Sequence, residues 1–196
     1  MRALLILACI LSTPARAAVV IDSDFWDSYE PYLQYSRDTL RELAALGEGD
    51  LLETAREIDG LELRVVGRHS RASNLISARL VIDSVVRQRL QVKILPFELS
   101  PNTSPEPTMR RRLVSAAQAD ALMTLLERQH FWDAPYSVSA PEAGSLNCSD
   151  TGHWIVEAVK PGAYQLISRT ACGGLDPAAA AIRDFLLDLA GVSATD

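Results

Sequence analysis

The sequence predicts an α+β fold: a two-layer sandwich of about five mostly antiparallel strands with helices packed on one face, preceded by an N-terminal helical segment. Three observations predict it. Apolar and polar residues alternate with period two from Leu61 to Ile94 and again from His153 to Thr170. Two segments with helical periodicity begin at capping residues, Ser115 and Asp176. The dipeptide Pro161-Gly162 joins the last two strands by a tight turn, which implies antiparallel pairing.

The elements follow in chain order. Residues 18–60 read as the helical segment. Leu33, Leu40, Leu43 and Ala44 recur at helical spacing after Pro31, and Gly47 and Gly49 break the helix. Asp50-Leu51-Leu52-Glu53 resembles a capping box and opens a short helix through Ile58, which Asp59-Gly60 ends. Phe25, Trp26, Tyr29, Tyr32 and Tyr35 form an aromatic group that either anchors this segment on the core or stacks on a sugar.

Strand patterns then run through Leu61, Leu63 and Val65; through Ile76, Ala78, Leu80 and Ile82; and through Val86, Leu90, Val92 and Ile94. Asp83-Ser84 is the expected turn between the second and third. The alternation places Arg87, Arg89 and Lys93 on a solvent face, with Arg79 beside them. Pro96, Pro101, Pro105 and Pro107 make residues 96–113 a loop, and Arg110-Arg111-Arg112 a solvated basic run. Ser115 and Gln118 form a capping box for a helix to about Gln129, and Phe131-Trp132 follow it into the core. Residues 133–152 form a long irregular loop. After the final hairpin, Asp176 caps a helix with Pro177 at its first position. Ile182, Phe185, Leu186 and Leu189 make its apolar stripe, and Gly191 closes it. Residues 61–191 therefore form the α+β domain and 192–196 a tail.

The start of the chain implies a compartment. Arg2, an apolar run from Ala3 to Leu11 and Ala15-Arg16-Ala17 have the pattern of a signal peptide over residues 1–17, cleaved near Ala17. The expected location is the periplasm or the extracellular space. No later stretch reaches the roughly 18 consecutive apolar residues of a spanning helix, so an integral membrane protein is not expected. Cleavage removes Cys9 and leaves Cys148 and Cys172, which read as one disulfide in an oxidising compartment. It would close a loop of about 25 residues, worth roughly 3–3.5 kcal/mol by loop-closure entropy. Asn102-Thr103-Ser104 and Asn147-Cys148-Ser149 match glycosylation sequons, which matter only in a eukaryotic secretory route.

Charge is segregated. Residues 18–62 carry 12 acids and 3 bases, residues 63–112 carry 10 bases and 3 acids, and residues 113–196 carry 10 acids and 4 bases. Either the acidic N-terminal helices lie against a basic sheet, or the sheet presents a basic face to an anionic partner. The chain without residues 1–17 has a net charge of −8, which argues against a general nucleic-acid binder.

Chemistry is sparse. His69, His130 and His153 are far apart, with no metal-ligand spacing, so no metal or cofactor is expected. No nucleophile elbow, S-x-x-K motif or phosphate loop is present. The group of interest is Trp132, Trp154, Glu157, Tyr164 and Arg169. Glu157 lies among apolar neighbours and requires a guanidinium partner. A three-residue hairpin turn would set Arg169 on its face, fixing strand register or holding an anion; a two-residue turn would set the two on opposite faces. His153 near Asp150 and Glu157 is the candidate acid/base group.

The same residues carry a resemblance. Phe131-Trp132, then Asp150-x-Gly152-x-Trp154-x-x-Glu157, then Gly162-x-Tyr164, Arg169 and a C-terminal helix ending Leu-x-Leu-Ala-Gly resemble a family of uncharacterised exported bacterial proteins. The likeness covers about residues 61–191, with Gln165 where that family has a histidine. It implies export and fold and carries no mechanism with it. The expected function is a non-enzymatic exported protein that binds another protein or an envelope component, through the basic sheet face or the 133–152 loop. A small periplasmic hydrolase using Glu157 and His153 is the alternative, and a structural accessory subunit is a third reading.

Overall fold

The computed structural model describes residues 19–29, 35–69, 73–83, 88–96, 105–134, 152–170 and 176–193. Alternation sets the sheet. Strand β2 (Leu61–Arg68) is buried along nearly its whole length, with Leu61, Leu63 and Val65 on one face and Glu62, Arg64 and Val66 on the other. Its neighbours are β3 (Leu75–Ile82) and β6 (His153–Lys160), both antiparallel to it. Beyond them lie β4 (Gln88–Leu95) and β7 (Ala163–Thr170). The Pro161-Gly162 turn has two residues, since Lys160 pairs with Ala163.

Two further strands extend this set. The two-residue β1 (Val19–Val20) covers the outer edge of β7, and β5 (Thr108–Leu113) pairs with β4. The order is β1-β7-β6-β2-β3-β4-β5. Against the five expected strands, the described residues form seven, and the expected loop 96–113 ends in a strand. The prolines stop at Pro107, and β5 is exposed along its whole length, so no buried face imposes an alternating pattern on it.

Helices α3 (Ala116–Arg128) and α4 (Pro177–Ala190) cover one face of the sheet. Ser115 and Gln118 form the capping box of α3, and the Asp176 side chain accepts from the amides of Ala178 and Ala179. Leu122, Leu126, Ile182 and Leu186 meet Leu63, Ala78, Leu80 and Val156 in the main core. Gln165 is buried on this side: its amide nitrogen donates to the carbonyls of Phe131 at 3.1 Å and Ala134 at 2.7 Å, pinning the Phe131-Trp132 turn to β7.

The other face is covered as well, which corrects the expectation of helices on one face only. Helix α1 (Ser23–Ser28), helix α2 (Arg37–Ala45) and a 3-10 turn (Leu52–Arg56) lie there. Leu43, Leu46, Leu51 and Leu52 form a second cluster with Val66, Ile155, Val159 and Leu166 of the sheet. The N-terminal segment is thus two short helices and a tight turn. Asp50 caps the turn, accepting from the Leu52 amide at 2.9 Å. Phe25, Trp26 and Tyr29 pack edge to face or tilted against one another and onto this second cluster, with the Arg56 guanidinium 4.4 Å from the Trp26 ring centre.

Candidate functional site

The second face carries the polar chemistry. Helix α2 ends in a Schellman turn: the Gly47 amide donates to Ala44 O at 3.0 Å and the Glu48 amide to Leu43 O at 2.8 Å. Gly47 has φ +60°, the left-handed conformation this turn requires. The turn aims Glu48 down onto the sheet. Lys93 Nζ lies 2.9 Å from Glu48 Oε1, Ser77 Oγ donates to the same oxygen at 3.1 Å, and Arg64 Nη1 lies 3.4 Å from Oε2. The flanking carbonyls are held too, Gly47 O by Lys93 and Gly49 O by Arg64.

Arg64 and Glu157 are direct cross-strand neighbours on β2 and β6, and both are fully buried. Arg64 Nε donates to Glu157 Oε1 at 2.7 Å. Glu157 Oε2 accepts from Tyr35 Oη at 2.6 Å and Tyr164 Oη at 2.9 Å. Arg64 Nη2 donates to Tyr35 Oη at 3.0 Å, so Tyr35 both gives and receives. Arg79 pairs with Glu62 at the next rung. Among the described residues, no buried side-chain nitrogen or oxygen is left without a partner. A buried ion pair is maintained only when its remaining donors and acceptors are also satisfied, and these are.

The electrostatics agree with the geometry. Burial is the main cause that raises the Tyr35 phenol far above its ordinary range, and the neighbouring Glu157 carboxylate adds to it. Burial, the largest single cause, would lower the Arg64 guanidinium, but the charge and hydrogen bond of Glu157 together with Tyr35 and Glu48 outweigh it and raise the group above its ordinary value. Both groups are therefore fixed in one protonation state, the phenol neutral and the guanidinium charged, across the physiological range.

The sheet divides the residues singled out in the sequence. Trp154 is buried on the helix face with Arg183 5.3 Å from its ring centre, and Trp132 packs on the same side with Lys160 Nζ at 4.2 Å. Glu157 and Tyr164 lie on the opposite face. Position 169 pairs with Trp154 and 157 with Leu166, so the two-residue turn puts positions 157 and 169 on opposite faces. The guanidinium that meets Glu157 is Arg64, 93 residues away in sequence. Glu62 and Arg64 alternate with Leu61, Leu63 and Val65, a pattern that by itself marks a solvent face. The signal that pointed to them was the acidic segment ahead of a basic sheet. Lys93, expected on a solvent face, is covered by the Gly47–Gly49 turn and its side chain is only 13% exposed. Arg89 is exposed; Arg87, Asp150, Cys148, Cys172 and nearly all of the 133–152 loop lie outside the described residues.

His153 shares the Glu157 face but stands four residues along the strand, about 13 Å at ordinary strand rise. Its Nδ1 lies 3.0 Å from Glu42 Oε2, and Arg68 meets the other oxygen of Glu42. Gly152, just before β6, allows a close crossing: a Cβ there would come within 2.0 Å of His69 O. A shallow recess of about 460 Å³ lies by Asp184, Asp188 and Ser193 at the end of α4, and contains none of the residues singled out.

The outer end of the face differs. Arg89 on β4 and Arg111 on β5 lie there, with Arg110 on the opposite face of β5; all three are exposed, and no ion pair neutralises them among the described residues. Met109 and Leu113 beside them are 50% and 76% exposed. No protein-family model, no curated protein and no solved structure matches the chain.

Proposed function

We propose that this chain is an exported, non-catalytic binding protein, cross-linked by Cys148 and Cys172, that holds an anionic protein or envelope component at the basic end of its sheet. One observation carries the reading. On one sheet face the inner cations Arg64, Arg79 and Lys93 are neutralised by Glu157, Glu62 and Glu48, whereas among the described residues Arg89 and Arg111 at its outer end, and Arg110 on the opposite face of β5, have no acid against them. Cations left bare beside exposed apolar side chains suit a partner that brings carboxylates or phosphates. The signal-peptide pattern and the resemblance to exported proteins support an envelope setting.

The hydrolase reading has less behind it. A general acid or base must reach a substrate, and Glu157 is fully buried with both oxygens occupied.

The test is capture from an envelope extract by immobilised mature protein, compared with the Arg89→Glu/Arg110→Glu/Arg111→Glu variant over rising salt. Species retained by the native protein and released by the variant and by salt are the expected result. Equal capture by both proteins, or turnover of a small substrate abolished by Glu157→Gln in a variant that still folds, contradicts the proposal.

A further inference from the structure

Strand β5 is the last strand of the sheet, and among the described residues nothing pairs with its outer edge. In an antiparallel pair, main-chain groups point alternately toward and away from the partner strand. The Val114 amide donates to Gln88 O, and the register then turns Arg112, Arg110 and Thr108 toward β4. The main-chain N–H and C=O of Met109, Arg111 and Leu113 therefore face outward. The side chains of these three lie in rungs with Lys93, Gln91 and Arg89, on the face that the N-terminal segment covers further in.

An exposed edge of this kind is a template for strand addition, and proteins commonly guard it with charge. Here the cations guard against one partner in particular. Two β5 strands paired about Arg111 would set arginine against arginine, and Arg110 of one copy against Arg112 of the other, which is unfavourable. They favour an acidic strand for the same reason. The two exposed apolar side chains flanking Arg111 add contact area, which a purely repulsive edge would not supply.

We infer that β5 accepts an extended acidic segment of a partner protein as an eighth strand, with carboxylates against Arg110 and Arg111 and apolar residues against Met109 and Leu113. This deepens the function proposed above and rests on it. Arg112 is already engaged at the carbonyl of Leu189 on α4, which leaves Arg110 and Arg111 to read the partner.

The test uses the full chain without residues 1–17 and a blocked, fluorescent peptide with the sequence threonine, valine, three glutamates, valine, threonine. Two further peptides are identical but N-methylated at alternate residues, one in each phase, which keeps their charge and removes the main-chain donors of one edge or the other. The expected result is saturable binding at low salt, weakened about tenfold or more both by N-methylation and by Arg110→Glu/Arg111→Glu. Hydrogen exchange at the Met109, Arg111 and Leu113 amides should slow when the unmethylated peptide binds. Met109→Pro removes one outward donor and leaves the β4 ladder intact, so it should weaken binding with no change in melting temperature. Binding that survives N-methylation but is lost on charge reversal overturns strand addition while the basic binding surface stands. Binding indifferent to both, or no binding at all, overturns strand addition and counts against the basic surface as well. Self-association through β5 in sedimentation, abolished by Met109→Pro, overturns it in favour of a second copy.

Discussion

The two ends of one sheet face use the same residue type for opposite purposes. At the inner end, Arg64 is buried between Glu157, Tyr35 and the Glu48 turn, with fixed partners. At the outer end, Arg111 stands on an exposed strand with no carboxylate against it among the described residues. One rung of the ladder contains both, running Glu157, Arg64, Arg79, Gln91, Arg111 across β6, β2, β3, β4 and β5. What separates them is the reach of the N-terminal segment, whose Gly47–Gly49 turn extends as far as Lys93. The difference shows that a cation on a sheet is held or left exposed according to what covers it, and among the described residues the cover reaches only part of this face.

The largest expected effect breaks the inner end. Glu157→Ala leaves a buried guanidinium and two buried phenols without their acceptor. It should cost about 3–5 kcal/mol in urea unfolding, as removal of one partner from a buried pair does. A loss below about 1 kcal/mol, the scale of an exposed pair, would erase the contrast between the two ends.

Tyr35→Phe is next. It removes one donor to Glu157 and one acceptor for Arg64, at a cost of about 1–3 kcal/mol. It also alters the alkaline limb. A phenol whose folded pKa lies above its unfolded value of about 10 contributes stability that is complete below pH 10 and falls away as pH rises beyond it. Unfolding free energy should therefore decline more steeply above pH 10 in the native protein than in the variant. Parallel pH profiles would show that Tyr35 is not held as described.

Gly47→Ala should cost about 1–2 kcal/mol through the left-handed backbone alone, since a Cβ there meets open space. Thermal unfolding with Gly49→Ala as the companion sharpens the point, because Gly49 has no such φ. Equal losses for both would mean that the Schellman turn does not position Glu48. The smallest effect belongs to the outer end: Arg89→Ala, Arg110→Ala and Arg111→Ala should each change stability by less than about 0.5 kcal/mol.

Local patterns made much of the fold legible. The alternation at Leu61–Val65 and Ile76–Ile82, the Ser115–Gln118 box and the Asp176-Pro177 start each depend on residues close in sequence, and each occupies its expected element. Strand β5 was not legible, because an edge exposed on both faces has no reason to alternate, and four prolines precede it. The second helical face was missed for a related reason. Glu62 and Arg64 are polar, and polarity in a strand ordinarily marks the solvent side; here cross-strand acids and Glu48 of the covering turn bury charge against charge. The partner of Glu157 was hidden by distance along the chain. Glu157 asked for a guanidinium, and Arg169 was the nearest in sequence, but the two-residue turn settled the faces and left Arg64 across the neighbouring strand.

The arginine Nε–H region of a nitrogen-15 correlation spectrum reads both ends at once. Arg64 should give a sharp, slowly exchanging Nε–H signal in the free protein, while Arg110 and Arg111 stay broadened by exchange until the acidic peptide is added and then sharpen. A fast-exchanging Arg64, or arginines on β5 already protected without a partner, would contradict this.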